Sequence, residues 1–329
     1  MLILNKAAVA QSLSHTDCIE VLAAAMKSVS RRDVAMPLRQ FISIPDTRGK
    51  FTAMPGYLHD PRCFGIKLVS KYPREPDSPH GSHVGAVMVF DAEQGIPVAL
   101  LDGAELTAIR TSAASALATG VLARDNAEVL TVLGCGDEAR HHIQALLAVR
   151  PLREIIVWGR SAERARRFVE QCLMLNSIPD SVTIGVAPDA ETAVAAADII
   201  CTVTSATEPI ISGDWVTPGT HINLVGAAVR TAAEADQQLV CNSRFYIDYR
   251  ESAMAQAGEL LNAIASGAID EGHIVGEIGD VLLGNCQGRC SEQEITVYKS
   301  LGVSAQDLAA AVCAVDKAKR QGIGISIDW

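Results

Sequence analysis

The chain has 329 residues, of which 49% are hydrophobic and 20% charged, and its formal net charge is −10. This composition excludes a disordered chain, and the length exceeds what one hydrophobic core commonly serves, so two domains are expected. The acidic balance and the lack of any dense run of Lys and Arg argue against nucleic acid as a partner.

Nine cysteines are dispersed without a paired spacing, which is typical of reduced thiols and predicts a cytoplasmic protein. Cys286 and Cys290 are four residues apart, but no neighbouring Cys or His pair completes a metal set, so no metal is expected. The start, Met1 to Lys6, lacks the charged head and long apolar run of a secretion signal, and no apolar stretch approaches the roughly 20 residues of a membrane span.

The first third of the chain predicts a helix followed by an antiparallel meander. A short strand precedes a helix over Ser14 to Ser28, where apolar residues recur at helical spacing. The segments with strand character, separated by Gly and Pro, are 39–44, 50–54, 63–71, 85–90 and 97–102. We expect a sharp turn at Met54-Pro55-Gly56-Tyr57 and a long helix, rich in small residues, over 103–122.

Three cations in this part are candidates for holding an anion. Lys67 and Lys71 are four apart in an otherwise apolar strand, so both point to one face, where a lysine is costly unless a charge or ligand pairs with it. Arg110 lies in the helix of small residues and can clamp a carboxylate through two hydrogen bonds. Arg39 opens the first β segment. The alternative for Arg39, Lys67 and Arg110 is a structural salt bridge.

A glycine fingerprint begins after more than a third of the chain. The strand Val129 to Leu133 runs into Gly134-Cys135-Gly136-Asp137-Glu138-Ala139, and a helix pattern then continues to Val149. This G-x-G-x-x-A turn presents a helix N-terminus and bare backbone N–H groups to a pyrophosphate. Because a second strand follows at Glu154 to Trp158, we predict dinucleotide binding at this turn rather than an ordinary tight turn.

The end of that second strand predicts which dinucleotide binds. An acidic residue commonly grips the ribose 2′-hydroxyl of NAD there, but this chain has Trp158-Gly159-Arg160-Ser161, with Arg164 one helical turn later. Arginines and a helix start favour a 2′-phosphate, so NADPH is predicted over NADH, with NADH as the alternative cofactor. The competing interpretation is that Arg160 and Arg164 are solvated surface residues.

Residues 126 to about 290 alternate strands and helices, which predicts a Rossmann-type, doubly wound parallel sheet. Its later strands end in Thr202-Val203-Thr204-Ser205 and in Val225-Gly226, both expected near the nicotinamide. A final helix over Ser304 to Arg320, closing near Gly322, is expected to pack back on the first domain. The fold class is therefore α/β: a Rossmann domain (123–299) plus an α+β substrate and dimerisation domain with antiparallel β layers (1–122 and 300–329).

The motifs together resemble the ornithine cyclodeaminase/mu-crystallin family. The matching segments run through most of the chain in the family's order: Met54-Pro55, Gly65 to Ser70, Leu101 to Gly103, Leu106 to Ser115, the Gly134 fingerprint, Gly276 to Asp280 and Glu294 to Ser300. The resemblance implies a homodimer in which the N-terminal β layers meet, with an active site between the domains. It implies that Arg39, Lys67 and Arg110 bind a substrate carboxylate, and that the enzyme moves hydride at the adjacent carbon. Thr111, next to Arg110, is expected at the cofactor.

One departure from the family pattern selects among its activities. Family cyclodeaminases carry an Asp in a Gly-x-Asp context where this chain has Gly226-Ala227-Ala228, and a methyl group cannot accept a proton. Ornithine cyclodeamination is thus disfavoured, while the family's ketimine reductases also lack that carboxylate and tend to use NADPH. We expect reduction of a small cyclic imino acid, with Met54, His83 and Ala228 lining the substrate pocket. The alternatives are an alanine-type dehydrogenase and a non-catalytic, mu-crystallin-like binding protein.

Overall fold

The structure is a computed structural model that describes residues 1–73, 81 and 83–329. The chain divides into two compact units, one formed by residues 1–110 with 302–329 and the other by residues 111–301. The functional division expected from the sequence, 1–122 with 300–329 against 123–299, stays a prediction.

The helices and strands fall into three stretches along the chain. The first stretch holds β1 (Leu2–Leu4), α1 (Lys6–Ser12), α2 (His15–Arg31), β2 (Val34–Ala35), β3 (Gln40–Ser43), β4 (Lys50–Leu58), β5 (Cys63–Lys71), β6 (His83–Asp91), β7 (Pro97–Asp102) and α3 (Gly103–Leu122). The middle stretch holds β8 (Val129–Leu133), α4 (Asp137–Leu147), β9 (Glu154–Trp158), α5 (Ala162–Met174), β10 (Thr183–Val186), α6 (Ala190–Ala195), β11 (Ile199–Thr202), β12 (His221–Leu224), α7 (Gln237–Cys241), β13 (Arg244–Ile247), α8 (Arg250–Gln256), α9 (Gly258–Ala265), β14 (Ile274–Glu277), α10 (Ile278–Leu283) and β15 (Thr296–Lys299). The chain ends with α11 (Ser304–Gln321) and β16 (Ile325–Ser326).

The sheet of the first unit contains the expected antiparallel meander. Its strand order is β16-β1-β7-β6-β5-β4-β2, with β3 also paired to β4. The pairs from β4 to β7 are antiparallel, whereas β1 joins β7 in parallel. The meander therefore forms the middle of a larger sheet, and the chain's two ends extend its edge beyond β7.

The prediction of a sharp turn at Met54 to Tyr57 is wrong, because these residues continue in extended conformation through β4, paired with β5. A proline is tolerated there since β3 pairs with β4 only up to Ala53 and β2 only from Tyr57, which leaves Pro55 a strand neighbour on one side alone. Gly56 is required for another reason. A Cβ on it would lie 2.3 Å from Ser304 Oγ, so the glycine lets α11 approach the strand closely.

The final helix, α11, packs against α2, β4 and β5 within the first unit. From Ser304 to Ala311 every residue is buried, including the polar Gln306 and Asp307 among the alanines. The helix ends at Gly322 with φ of 67°, the left-handed conformation that favours glycine at a helix end. This placement matters because polar side chains in the first turns of α11 are forced into the interior of the unit.

The second unit is built on an eight-stranded sheet in the order β10-β9-β8-β11-β12-β15-β13-β14. Every pair is parallel, and helices follow the strands, which confirms the doubly wound fold expected from the alternating pattern. Residues Thr296 to Lys299 form strand β15, which pairs with β12 on one side and β13 on the other. Late insertion of this fully buried strand brings the chain back beside β12 before it returns to the first unit.

The sheet buries the apolar residues of its strands against the helices, with Ile200, Ile222, Phe245 and Val297 fully enclosed. In the part of the chain that the structure describes, no helix is long and apolar enough to cross a bilayer. Within the same residues, no group of three or more His, Cys, Asp or Glu side chains is arranged to hold a metal ion.

Candidate active site

A buried carboxylate joins two of the three cations singled out in the sequence. Lys67 Nζ on β5 donates to Oδ1 of Asp307 at 2.9 Å, and Arg110 Nε on α3 donates to the same oxygen at 2.9 Å. The side chains of all three residues are nearly inaccessible to solvent. Residues from a strand, a long helix and the last helix thus converge on one oxygen atom inside the first unit.

The third cation, Arg39, lies beside this cluster. Its Nη2 donates to the backbone oxygen of Gly302 at 2.7 Å. Its charge lowers the pKa of Lys67. Arg110 also reaches this turn, because a Cβ on Gly302 would lie 2.6 Å from Arg110 Nη1, and Gly302 has φ of 79°. Gln306 Oε1 accepts a second hydrogen bond from Arg110 Nη1 at 3.0 Å. The two guanidinium groups are therefore held against the turn that precedes α11.

Burial and charge set the protonation of this cluster. The pKa of Lys67 is lowered from 10.5 to about 8, first by burial and then by the charge of Arg110, while Asp307 opposes both. Burial by itself raises the pKa of the Asp307 carboxyl, but the charges of Arg110 and Lys67 outweigh that effect and the pKa lies below its usual value. Near neutral pH Asp307 is ionised, while Lys67 is mostly protonated and close to its titration point.

Asp307 and Gln306 were missed in the sequence. They lie 240 and 196 positions from the partners they contact, Lys67 and Arg110, so no local spacing links them. The available signal was a polar pair inside a helix of alanines, because a buried carboxylate requires a charged or hydrogen-bonding partner. The salt bridge considered as the alternative interpretation for Lys67 and Arg110 is present, and it leaves the cluster with more cations than carboxylates.

Met54 and His83 are the two other residues of the first unit that were expected to line the substrate pocket. Met54 is buried on β4 directly opposite Lys67, so it lies on the strand next to the cluster. The side chain of His83 lies outside the described residues.

The second unit gathers the residues expected at the cofactor on one edge of its sheet. Strands β9, β8, β11 and β12 are neighbours and parallel, and they end in register at Trp158, Leu133, Thr202 and Leu224. The loops that follow these strands therefore share the carboxyl edge, where open α/β sheets bind their ligands.

The fingerprint loop has the geometry that a pyrophosphate requires. Gly134 has φ of 129°, and a Cβ there would lie 2.7 Å from the backbone oxygen of Val203, so only glycine fits between the two loops. Gly136 is the N-cap that precedes α4 and has no side chain to cap it, and the space beside its Cα is open. An anionic phosphate can bind at such a helix N-terminus, because no side chain caps the free backbone N–H groups or blocks the approach to them. Cys135 is partly buried, Asp137 is exposed and Ala139 packs inside.

The second loop touches the fingerprint. A Cβ on Gly159 would lie 2.6 Å from Cys135 Sγ. Ser161 caps α5 by accepting a hydrogen bond from Arg164 N at 3.3 Å. Burial raises the pKa of Cys135, and the charge of Arg164 opposes the rise, which places that guanidinium within electrostatic reach of the fingerprint. Arg160, Ser161 and Arg164 are exposed, so the choice between phosphate binding and solvation stays a prediction.

A buried glutamate, missed in the sequence, ties the remaining two loops together. Glu234 Oε2 accepts from Thr202 Oγ1 at 2.8 Å and from Ala227 N at 3.0 Å. Its Oε1 accepts from the backbone and the hydroxyl of Thr204, at 3.0 and 2.7 Å. Gly226 is required beside it, since a Cβ there would lie 2.2 Å from the backbone oxygen of Thr204. One carboxylate thus fixes the loop after β11 to the loop after β12.

A second buried pair supports this glutamate. Glu259 Oε1 accepts from the backbone N–H of Glu234 at 2.9 Å, and Lys299 pairs with Glu259 at 3.0 Å. Lys299 Nζ also donates to the backbone oxygen of Ala227 at 2.6 Å. Lys299 is fully buried, and its side chain therefore holds the 226–228 loop in place instead of contacting solvent.

Three further expected residues lie in the second unit. Ala228 is half-buried and packs against the core of the sheet, and Val225 is half-buried at the start of its loop. The Thr111 hydroxyl on α3 is buried and has no hydrogen-bond partner among the described residues. An orphaned hydroxyl of this kind fits a position that contacts a bound group.

The model of the ornithine cyclodeaminase/mu-crystallin family matches residues 1–322. The chain belongs to this family. The resemblance inferred from its motifs is confirmed.

Individual relatives cover nearly the whole of this family member. The ketimine reductase mu-crystallin of Mus musculus is 35% identical over 283 residues, which is 86% of this chain and 85% of the relative. The structure of Thermococcus litoralis Δ1-pyrroline-2-carboxylate reductase, in complex with NADH and L-proline, matches this chain with a TM-score of 0.94 and 32% sequence identity. The match covers 99% of this chain and 100% of the Thermococcus chain. An archaeal alanine dehydrogenase dimer with bound NAD is 28% identical with a TM-score of 0.91, and covers 100% of this chain and 99% of its own.

Proposed function

We propose that this chain reduces a cyclic imino acid with NAD(P)H, converting Δ1-pyrroline-2-carboxylate to L-proline, Δ1-piperideine-2-carboxylate to L-pipecolate, or both. The observation that carries the proposal is that two buried cations, Lys67 and Arg110, share the single carboxylate of Asp307, with Arg39 beside them on the turn at Gly302. An excess of buried positive charge is costly by itself and is relieved by an anionic ligand. The names of the mouse and Thermococcus relatives support a ketimine carboxylate as that ligand.

Each residue of the cluster has a chemical role in this reaction. Arg110 and Arg39 bind the substrate carboxylate and fix the adjacent C=N carbon, since positioning supplies much of the acceleration in hydride transfer. A bound reduced nicotinamide supplies the hydride to that carbon. Lys67, whose pKa of about 8 keeps it a proton donor near neutrality, delivers a proton to the imine nitrogen, directly or through water. The product is the saturated amino acid, and Lys67 regains its proton from solvent.

The four loops at the carboxyl edge of the second unit are proposed to hold the dinucleotide. The groups involved are Gly134 to Ala139 at the pyrophosphate, Trp158 to Ser161 with Arg164 at the adenosine, and Thr202 to Ser205 with Val225, Gly226 and Thr111 toward the nicotinamide. The proposed preference for NADPH rests on the two arginines and on the lack of a carboxylate at the end of β9. The relatives' structures contain NADH and NAD, so the preference needs its own measurement.

The direct test is turnover of preformed imines by the purified protein. NADPH oxidation is measured with Δ1-pyrroline-2-carboxylate, with Δ1-piperideine-2-carboxylate, and with pyruvate plus ammonia. The proposal expects a kcat/KM at least about 100-fold higher for one of the cyclic imines than for the open-chain pair. Normal turnover by Arg110→Ala would remove the central residue of the proposal.

A second candidate function follows from the alanine dehydrogenase relative, which shares the fold over the whole chain. In that case the carboxylate site is the same but the imine forms from pyruvate and ammonia. Faster turnover with pyruvate plus ammonia than with either cyclic imine would select this function. NADPH oxidation with none of the three would favour a binding protein without catalysis.

A homodimer is also proposed. The edge strand β3 exposes Phe41 and Ile42 to 49% and 54%, an apolar surface of the kind that subunit contacts cover. The alanine dehydrogenase relative is described as a dimer. Light scattering is expected to give twice the chain mass of 34.8 kDa, and Phe41→Asp is expected to shift the protein toward the monomer.

A further inference from the structure

Asp307 occupies a place that neither the motifs nor the roles proposed above explain. Its Oδ1 accepts both Lys67 Nζ and Arg110 Nε at 2.9 Å, while the carboxylate itself is 1% exposed. Asp307 and its two partners, Lys67 and Arg110, come from α11, β5 and α3, which are far apart in the chain. A single oxygen atom therefore determines the separation between the proposed proton donor and the proposed carboxylate clamp.

The way Asp307 is satisfied is unlike a structural ion pair. An ionised carboxylate has about four acceptor positions on its two oxygens. In Asp307 both cations use Oδ1, and Oδ2 is buried without a hydrogen-bond partner among the described residues. A partly satisfied buried network costs stability compared with an apolar replacement. The arrangement is therefore poor for stability and well suited to holding two cations side by side.

We propose that Asp307 is a positioning residue of the imine-reducing site, which fixes the Lys67 amine beside the Arg110 guanidinium and holds it there as a charged proton donor. The inference rests on the proposed function. Asp307 hydrogen-bonds to Lys67 and Arg110 through Oδ1, so it acts through these two side chains. In the step it supports, hydride adds to the C=N carbon, the π electrons move to nitrogen, and a proton passes from Lys67 Nζ to that nitrogen.

The charges that face Lys67 predict what happens when Asp307 is neutralised. Arg110 and Arg39 lower the pKa of Lys67, and Asp307 raises it. Without the carboxylate the Lys67 amine loses its proton at a lower pH, so the donor is lost in the neutral range. Where Lys67 keeps its proton the site becomes more positive, and where Lys67 loses it the lost positive and negative charges cancel, so a substrate carboxylate is bound at least about as tightly. Loss of Asp307 should therefore lower kcat and leave KM for the imino acid unchanged or reduced.

The first experiment is a pH profile of imine reduction by the wild type, Asp307→Asn and Asp307→Glu. Asparagine keeps the shape and removes the charge, so the pH above which kcat/KM falls should move down by about one unit or more. Activity of Asp307→Asn should return to within about threefold of the wild type near the acidic end of the profile, because Lys67 is then protonated. Glutamate keeps the charge but displaces it, so kcat should fall about tenfold with the pH profile retained.

A second measurement does not depend on turnover. Lysine labelled with ¹³C at Cε is followed by NMR as pH is varied, and the Lys67 resonance is assigned by its loss in Lys67→Arg. The Lys67 pKa should be lower in Asp307→Asn than in the wild type. If the wild type reduces no imine but this shift occurs, the proposed function fails and the coupling of Asp307 to Lys67 stands.

Three results would overturn the inference itself. One is a Lys67 pKa that is the same in the wild type and in Asp307→Asn. Another is an Asp307→Asn variant whose activity is reduced equally at every pH. If Asp307→Asn does not fold, Asp307→Glu decides: a tenfold loss of kcat with an unchanged pH profile supports positioning, and wild-type kcat contradicts it.

Discussion

Lys67 and Lys71 lie four residues apart on the same face of β5, yet Lys67 is 4% exposed and Lys71 reaches solvent. The difference arises because α11 covers the strand at Lys67 and supplies Asp307 as its partner, while Lys71 lies at the strand end opposite Lys50. The sequence pattern places both lysines on one face but does not distinguish them. The structure makes them a matched pair for testing what burial contributes.

Lys67→Met should reduce kcat/KM for the cyclic imine by about 100-fold or more, because a positioned general acid contributes roughly 10²- to 10⁴-fold. Lys71→Met should stay within about twofold of the wild type, since it removes an equal charge from solvent-exposed surface. Steady-state NADPH oxidation measures both. Equal losses in the two variants would mean that general positive charge, and not the buried amine, supports the reaction.

The exposed arginines after β9 test the choice of cofactor. Arg160→Ala and Arg164→Ala should each raise KM for NADPH about tenfold, which is about 1.4 kcal/mol, and leave KM for NADH within about twofold. Arg166→Ala is the matched control, because Arg166 is exposed on the same helix as Arg164 but two residues further on. A wild type that binds NADH more tightly than NADPH, or an Arg166 variant with the same effect, would remove the basis for the preference.

Much of the second unit could be predicted because its order is local. Buried parallel strands alternating with helices, and a glycine turn directly after β8, are visible in short windows of sequence. What the pattern does not contain is the insertion of β15 between β12 and β13, because strand order depends on pairing across the sheet. The turn expected at Met54 to Tyr57 failed for a related reason: Pro and Gly commonly break strands, but in β4 two short neighbouring strands leave room for Pro55.

The cations of the candidate site could be predicted from the sequence, but the carboxylates that hold them, and that hold the cofactor loops, could not. Arg39, Lys67 and Arg110 could be named because cations are conspicuous in apolar segments. Asp307, the partner of Lys67 and Arg110, could not be assigned, since it comes 240 residues after Lys67 and its helix carries another acidic residue, Asp316. Glu234 was missed in the same way, because only the folded loops bring its carboxylate to Thr202, Thr204 and Ala227.

Glu234 gives a prediction that separates loop positioning from chemistry. In Glu234→Gln an amide N–H₂ group must face at least one N–H or O–H that now donates to the carboxylate, which leaves a buried donor unsatisfied at about 1–3 kcal/mol. We expect KM for NADPH to rise about tenfold. The free energy of unfolding should fall by about 1–3 kcal/mol. Glu208→Gln, an exposed residue in the same region of the chain, is the control. Unchanged cofactor binding in a destabilised variant would restrict Glu234 to a structural role.

His221 predicts how stability depends on pH. It is fully buried on β12, with Nδ1 3.0 Å from Thr296 Oγ1 on β15. Burial lowers its pKa from 6.5 to about 3. The folded protein therefore keeps His221 neutral while the unfolded chain takes up a proton below pH 6.5. Its contribution to stability is complete above that pH and is lost as pH falls toward 3, at up to about 1.4 kcal/mol per pH unit.

The contribution of His221 can be isolated by comparison with His221→Gln, which cannot titrate but retains an amide to meet Thr296. Urea unfolding at a series of pH values should show a gap in unfolding free energy between the two proteins that shrinks as the solution is acidified. Carboxylates affect both proteins alike, so they cancel in this difference. His59→Gln, at an exposed position, is the control. If the gap for His221→Gln is constant with pH, the unfolded chain and the folded protein must bind protons equally at this residue, and His221 must be accessible to a proton inside the sheet.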